Sequence, residues 1–216
     1  DDEQREVFKL PPFVQKMIEE KKLGNKSGQG FYKKEMIDGK RQIFYYDYTD
    51  GDYKPLAKPK FGSVQMVKQV DDPRRRITAL IGGGDKGAEY GWKSLRDTLI
   101  YAYNRIPEIA DDVVNIDNAM KLGFNWELGP FEMLDAIGLD AFVKRAEKDG
   151  VQIPASMKQI EAFYRYGEDG RKEFYDIVSG AYRPLMLPDG QISLEILKRG
   201  NRVVEKNSNS SVVDLG

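Results

Sequence analysis

Hydrophobic positions along this chain keep a helical period through its middle and a strand-like period near its start. Ala88, Trp92, Leu95, Leu99, Ala102 and Ile106 recur at i, i+4, i+7, i+11, i+14 and i+18, which predicts one long helix with a single apolar stripe, ended by Pro107. The Gly82-Gly83-Gly84 break precedes it, and Asp85 is placed to cap it. Pro107 then predicts the start of a second helix, whose Ile109, Val113, Ile116 and Met120 share a face and whose end is Gly123. A brief helix from Pro130 to Gly138, one capped by Asp140 and running to about residue 149, and another over 155–166 complete this part. Upstream, 62–71 and 74–81 read as two short helices, and 10–23 as an amphipathic one with Pro11 and Pro12 in its first turn and Gly24 as its stop. Residues 31–37 and 42–48, rich in Phe, Tyr and Ile around Asp38-Gly39, predict a β-hairpin, and 49–60, with Gly51, Pro55 and Pro59 among charges, a linker.

One pattern occurs twice. Pro12 leads a helix, a glycine loop and Phe31-Tyr32; Pro154 leads a helix, Gly167-Glu168-Asp169-Gly170 and Phe174-Tyr175, with Pro-to-Phe separations of 19 and 20 residues. After Gly200, 202–204 and 212–216 read as strand pieces around a polar tract, and the chain stops in mid-pattern, which predicts a boundary inside a larger polypeptide.

Composition narrows the chemistry. The chain of 216 residues carries 34 basic and 35 acidic side chains, so no bulk field favours nucleic acid or an anionic membrane, and no apolar run reaches the roughly 18 residues of a membrane span. Its charged start at Asp1 to Glu6 is unlike a signal peptide, and a cytoplasmic location is expected. With no cysteine and no histidine, thiolate chemistry, disulfides, the commonest general base near neutral pH and the commonest metal ligand are all excluded from these residues.

What remains are loops and carboxylates. The glycine loop 24–30 can bind phosphate through backbone N–H groups with Lys26 as a point charge, or serve as a plain helix-to-strand turn; it is neither of the nucleotide-loop patterns. Glu108, Asp111, Asp112, Asp117, Glu127, Glu132 and Asp135 can supply an acid/base pair, or cap and solubilise helices. Arg74-Arg75-Arg76 reads as a solvated face, and Asn104 either bonds a ligand or satisfies nearby backbone.

Taken together, these segments resemble a known family. Leu23-Gly24-Asn25-Lys26-Ser27-Gly28-Gln29-Gly30-Phe31-Tyr32 is similar to the closing motif of the C-terminal domain of 3-hydroxyacyl-CoA dehydrogenases. Asn115-Ile116-Asp117-Asn118-Ala119-Met120, Gly123, Gly129-Pro130-Phe131-Glu132, Asp135 and Gly138-Leu139-Asp140 resemble that domain's other motif, and Asn104-Arg105 stands where its helical Asn-Arg pair stands. The resemblance implies a mainly α fold of the 6-phosphogluconate dehydrogenase C-terminal type with a small β-hairpin. It implies residues 1–60 as the tail of a first helical domain, 61–200 as a second whole one whose closing motif has become Lys172-Glu173-Phe174-Tyr175, and 201–216 as the start of a further, hydratase-like domain.

Family members oxidise L-3-hydroxyacyl-CoA with NAD in fatty-acid β-oxidation, using a His–Glu pair in an N-terminal Rossmann domain. That machinery is absent here, so the resemblance implies a helper portion, inactive alone, that needs a Rossmann domain in cis and an acyl-CoA substrate, with no nucleic acid and no membrane. It places Lys26 and Ser27 toward the NAD, assigns no catalytic residue and no metal to this chain, and implies a homodimer or a second copy standing in for the partner. A free-standing helical dimerisation or scaffold module is the competing expectation; a carboxylate hydrolase built on Glu127, Glu132 and Asp135 is a third.

Overall fold

The computed structural model describes residues 2, 4–167, 170–187, 190–200 and 202–215, so the Glu168-Asp169 pair in the second glycine loop and the terminal Gly216 lie outside the described residues. The chain divides into two units, Asp1–Lys60 and Phe61–Gly216. The fold is mainly helical, as expected, but the described residues form three small antiparallel sheets rather than one hairpin.

In the first unit, α1 (Pro12–Glu19) is shorter than the predicted 10–23. It ends before Gly24 because Lys21 turns to φ 57° and the Lys22 N–H reaches back 2.8 Å to the Met17 carbonyl, a closing bond that satisfies one of the last helical acceptors. A 3-10 turn (Asn25–Ser27) leads into β1 (Tyr32–Ile37), β2 (Lys40–Asp47) and β3 (Asp52–Pro55). Asp38 and Gly39, both at positive φ, make the two-residue turn between β1 and β2. The third strand falls in the predicted linker: Asp47 accepts from the Thr49 N–H, Gly51 sits at φ 79°, and the chain folds back so that Tyr53 pairs with Tyr46.

The second unit opens with α2 (Gly62–Val67), shorter than the predicted 62–71, and α3 (Pro73–Ile81). Helix α4 (Lys86–Asn104) follows; Asp85 caps it by accepting from the Ala88 N–H at 3.0 Å while also holding the Ser63 N–H and hydroxyl. Its stripe is buried as the spacing predicts, with Ala88, Trp92, Leu99 and Ala102 inside and Leu95 half-buried; the helix ends at Asn104, ahead of the expected stop at Pro107, and Ile106 is buried just beyond it.

Helix α5 (Val113–Phe124) starts six residues later than Pro107. Asp112 rather than Pro107 begins it, accepting from the Asn115 N–H, and Ile109 stands in solvent instead of on the buried stripe. Helices α6 (Pro130–Ile137) and α7 (Leu139–Lys148) follow; Asp140 lies inside the first turn of α7 and pairs with Lys144 instead of capping.

The predicted helix over 155–166 is absent. A 3-10 turn (Met157–Gln159) gives way to β4 (Tyr164–Tyr166), which pairs with β5 (Lys172–Asp176), itself paired with β6 (Ala181–Pro184). Met157, Ile160 and Phe163 imitate a helical stripe by their spacing, but each is buried singly as the chain crosses the core. Helix α8 (Leu194–Arg199), unread in the sequence, precedes the hairpin of β7 (Val203–Lys206) and β8 (Ser211–Val213). The core of this unit gathers Trp92, Leu99, Phe131, Leu134, Phe142 and Phe163 from α4, α6, α7 and the edge of β4.

The repeated pattern is real, but its register differs from the one the sequence suggested. In both units a helix closes with a six-residue back-bond (Lys22 N–H to Met17; Val151 N–H to Ala146), a 3-10 turn follows, and a three-stranded meander closes the motif. Tyr46 and Tyr175 donate their N–H groups to Phe31 and Phe163; the Tyr53 hydroxyl bonds the Gly30 carbonyl and the Tyr182 hydroxyl that of Ala162. Asp47 pairs with Lys54, and Asp176 with Arg183, each at 2.6 Å. The counterpart of Gly30-Phe31-Tyr32 is therefore Ala162-Phe163-Tyr164, and not the expected Lys172-Glu173-Phe174-Tyr175, which matches 43–46 of β2.

Candidate functional site

In the first unit the glycine loop is tied to itself. The Gly24 N–H donates to the Gln29 carbonyl at 2.8 Å, and the Ser27 hydroxyl accepts from the Leu23 N–H at 2.9 Å while lying 3.0 Å from the Gln29 carbonyl. A Cβ on Gly30 would fall 2.7 Å from the Gly24 backbone, so the two glycines let the chain pass over itself. The second unit makes the corresponding connection with twelve residues, 151–162, instead of nine, 22–30, and has alanine at the matching position, 162. The close approach of Gly30 to Gly24 and the positive φ of Gly24 and Gly28 give these glycines a steric reason. The loop leaves the Lys26 side chain exposed at its tip, whereas Lys158, at the matching place of the second 3-10 turn, pairs with Glu147. Ser27 is engaged inside the loop, and Lys26 is the group it offers outward.

In the second unit the carboxylates the sequence singled out are drawn into the scaffold. Asp117 is fully buried; it accepts from the Phe131 N–H at 2.8 Å, from the Glu132 N–H at 3.2 Å and from the Tyr164 hydroxyl at 2.8 Å. It thus joins α5 to the start of α6 and to β4. Burial pushes its carboxyl up to about 7 in spite of those donors, and the Tyr164 hydroxyl is pushed far up by burial and by Asp117 itself. A Cβ on Gly129 would lie 2.3 Å from the Asp117 carboxyl, which is why glycine precedes Pro130. Glu132 accepts from the Gly129 N–H and pairs with Lys121, each at 2.9 Å. Asp135 accepts from the Phe163 and Tyr164 N–H groups at 2.7 and 2.8 Å, and burial raises it to about 6. Glu127 is exposed and pairs with Arg76. The hydrolase expectation fails on this geometry, because Asp117, Glu132 and Asp135 are bound by backbone donors and Glu127 points outward.

Asn104 closes α4 half-buried, and Arg105 beyond it is buried, with its guanidinium 2.9 Å from Glu108 and 4.6 Å from the Tyr101 ring centroid. Arg105 lines a cleft of about 580 Å³ with Tyr101, Ile109, Ile116 and Met120. Among the described residues no group of His, Cys, Asp or Glu is arranged to hold a metal ion, and no helix is long and apolar enough to cross a membrane. Sequence reasoning missed Tyr164 as the closing tyrosine; its signal was the aromatic pair at 163–164, hidden inside the apparent helix over 155–166.

The model of the 3-hydroxyacyl-CoA dehydrogenase C-terminal domain matches residues 98–177. That range runs from the second half of α4 through β5 and contains Asp117, Gly129, Asp135 and Tyr164. Over 221 aligned residues the chain is 39% identical to a Bacillus subtilis protein named "Probable 3-hydroxyacyl-CoA dehydrogenase", covering 100% of this chain and 27% of that protein. Two proteins named as a fatty acid oxidation complex trifunctional enzyme also match. That of Rickettsia felis is 26% identical over 71% of this chain and 20% of its own length, and that of Rickettsia prowazekii 23% over 80% and 23%. The chain spans about a quarter of the length of these relatives. No solved structure matches at a comparable level of significance.

Proposed function

Because the segment 98–177 belongs to the C-terminal domain family of 3-hydroxyacyl-CoA dehydrogenases, we propose that the chain is the helical, substrate-cleft portion of an NAD-dependent L-3-hydroxyacyl-CoA dehydrogenase of fatty-acid β-oxidation. In this reading it acts in the cytoplasm only together with a Rossmann domain in cis, and has no turnover by itself. The observation that carries the reading is the disposition of its polar groups. The buried Asp117 and the half-buried Glu132 and Asp135 are spent on backbone N–H groups at 129–132 and 163–164, and the chain has no His or Cys to move a proton near neutral pH. Its residues hold a scaffold.

NAD, when bound, supplies the hydride acceptor. The residues of this chain that suit it are Lys26 and Ser27: the ammonium of Lys26 is exposed at the tip of the loop and fits a phosphate or ribose oxygen, and Ser27 fixes the turn from which Lys26 extends. The rest of the chain excludes water from its own core and presents apolar helix faces to neighbouring segments.

Two measurements test this. The 216-residue chain, given 3-hydroxybutyryl-CoA and NAD, should turn over no faster than a blank; turnover well above blank refutes the reading. In the complete enzyme, Lys26→Ala should raise the KM for NAD roughly 5- to 10-fold, the loss of one charge-assisted contact, with a smaller change in kcat. An unchanged KM removes Lys26 from the cofactor site.

A further inference from the structure

The three consecutive arginines at 74–76 are put to three different uses. Arg75 lies 3.8 Å from Asp72, Arg76 pairs with Glu127 at 2.7 Å, and Arg74, in the first turn of α3, lines a pocket of about 290 Å³ in the second unit. The antiparallel register sets Tyr166 of β4 opposite Lys172 of β5, so both side chains leave the sheet on one face and line the same pocket. Helix α8 adds Glu195 and Arg199, whose guanidinium stands 4.1 Å from the Tyr166 ring centroid. Three cationic side chains thus meet at one place, and none is held in a tight ion pair. Among the described residues Arg74 and Lys172 form no ion pair, and Arg199 is 3.9 Å from Glu195.

The carboxylates of the pocket wall are mostly engaged elsewhere. Asp135 is taken by the Phe163 and Tyr164 N–H groups, and Glu132 by Lys121 and the Gly129 N–H. Glu195 is left to answer the cations, and the Tyr166 hydroxyl, Lys172, Arg74 and Arg199 hold its carboxyl below the usual range. Yet Glu195 fits the place poorly. Its side chain is 49% exposed and its helix buries no residue. The Tyr166 hydroxyl, pushed up to about 12 by burial and by Glu195, is sealed from solvent without a hydrogen bond of good geometry. A hydroxyl shut away from water normally has a partner.

We propose that this pocket is an oxyanion site for a phosphate-type dianion, in which Glu195 is the chain's own weaker occupant. The dianion accepts from the guanidinium groups of Arg74 and Arg199, the ammonium of Lys172 and the Tyr166 hydroxyl, while Glu195 turns out to solvent. A phosphoryl group suits these four donors better than a carboxylate, because it brings three acceptor oxygens and about two charges. Its donors come from α3, the β4–β5 ladder and α8, so the anion also ties those elements together. The site is independent of the dehydrogenase reading, and a failed turnover assay leaves it untouched.

Amide chemical-shift titration of the 216-residue chain with sodium phosphate tests it, with sodium chloride at equal ionic strength as the control. The amides of Tyr166, Lys172 and Glu195 should shift and saturate with phosphate and stay in place with chloride. Arg74→Gln should weaken binding roughly 5-fold and Glu195→Gln should tighten it by about the same factor, each through one partly exposed charge. Both residues are exposed, and a general loss of fold cannot give effects of opposite sign. Glycerol 3-phosphate separates the two sources of the group. Saturation at a lower concentration than inorganic phosphate assigns the terminal group of a phosphorylated small molecule; the reverse assigns free phosphate. Shifts that never saturate overturn the proposal, as does binding that Arg74→Gln leaves unchanged or that Glu195→Gln fails to tighten.

Discussion

The meander of residues 32–55 and that of residues 164–184 share strand order, turn aspartate, tyrosine pair and cation, and they differ in what lies beneath their first strand. In the second, the buried Asp117, the half-buried Asp135 and a set of aromatic rings fix that strand; in the first, Phe31 and Tyr32 are exposed. The difference separates what a motif carries in itself from what it borrows. Turn geometry, sheet pairing and the tyrosine–carbonyl bond are intrinsic, since both copies have them. Burial of the closing Phe-Tyr pair is borrowed from an apposed helical bundle, since only one copy has it.

Phe163→Ala and Phe31→Ala break the comparison most directly. Phe163 is fully buried, so truncation should cost about 3–5 kcal/mol in urea denaturation of the chain, whereas Phe31→Ala should cost under about 1 kcal/mol. Equal losses would mean that the first copy is buried as deeply as the second.

Dependence on pH comes next. Asp117, raised in the fold from 3.8 to about 7, favours the folded state fully below its unfolded value, and that contribution is lost as pH rises through 7. The second unit should therefore lose on the order of 4 kcal/mol between pH 4 and pH 8 from this group. Asp135, raised to about 6, adds a loss in the same direction. In the first unit the sign is reversed: Lys54 and Thr49 hold Asp47 down near 2, so its contribution is present above pH 4 and lost as pH falls through 2. Thermal melts of Asp117→Asn against the parent across this range check the first sign, and a flat profile for the parent would remove Asp117 as its source.

The smallest effect sharpens the comparison at the helix ends. Lys21 occupies φ 57° where the second copy has Gly150 at φ 78°. Lys21→Gly should stabilise the first unit by roughly 0.5–1 kcal/mol, because glycine adopts that conformation without steric cost. A destabilisation would show that the lysine side chain compensates for its backbone.

Most of the helical scaffold was legible in the residues themselves. The α4 stripe, the Asp85 cap and the Asp38-Gly39 turn follow from local spacing and chemistry, and the structure places them accordingly. Where the reading failed, a tertiary partner decided. The aromatic residues over 155–166 look helical until the Asp135 carboxylate, 28 residues away from Phe163, takes their N–H groups. Helix α5 begins after Asp112, whose carboxylate caps it, and not at Pro107. Strand β3 was hidden by Pro55, which is tolerated at an outer strand's end. At the candidate site, the motif positions Asp117, Gly129 and Asp135 were legible as important, but their task of bonding backbone donors was not, since it depends on β4 arriving from elsewhere in the chain. Lys26 was legible only through likeness to a family motif.

The crossing of Gly24 and Gly30 makes the first loop a ruler. With two backbone segments already in contact, the nine residues of 22–30 have little slack, and ring closure of the main chain sets the point from which the Lys26 side chain extends. In the longer second loop the matching lysine, Lys158, pairs with Glu147 instead. Shortening or lengthening the first loop by one residue would therefore displace the backbone from which Lys26 extends.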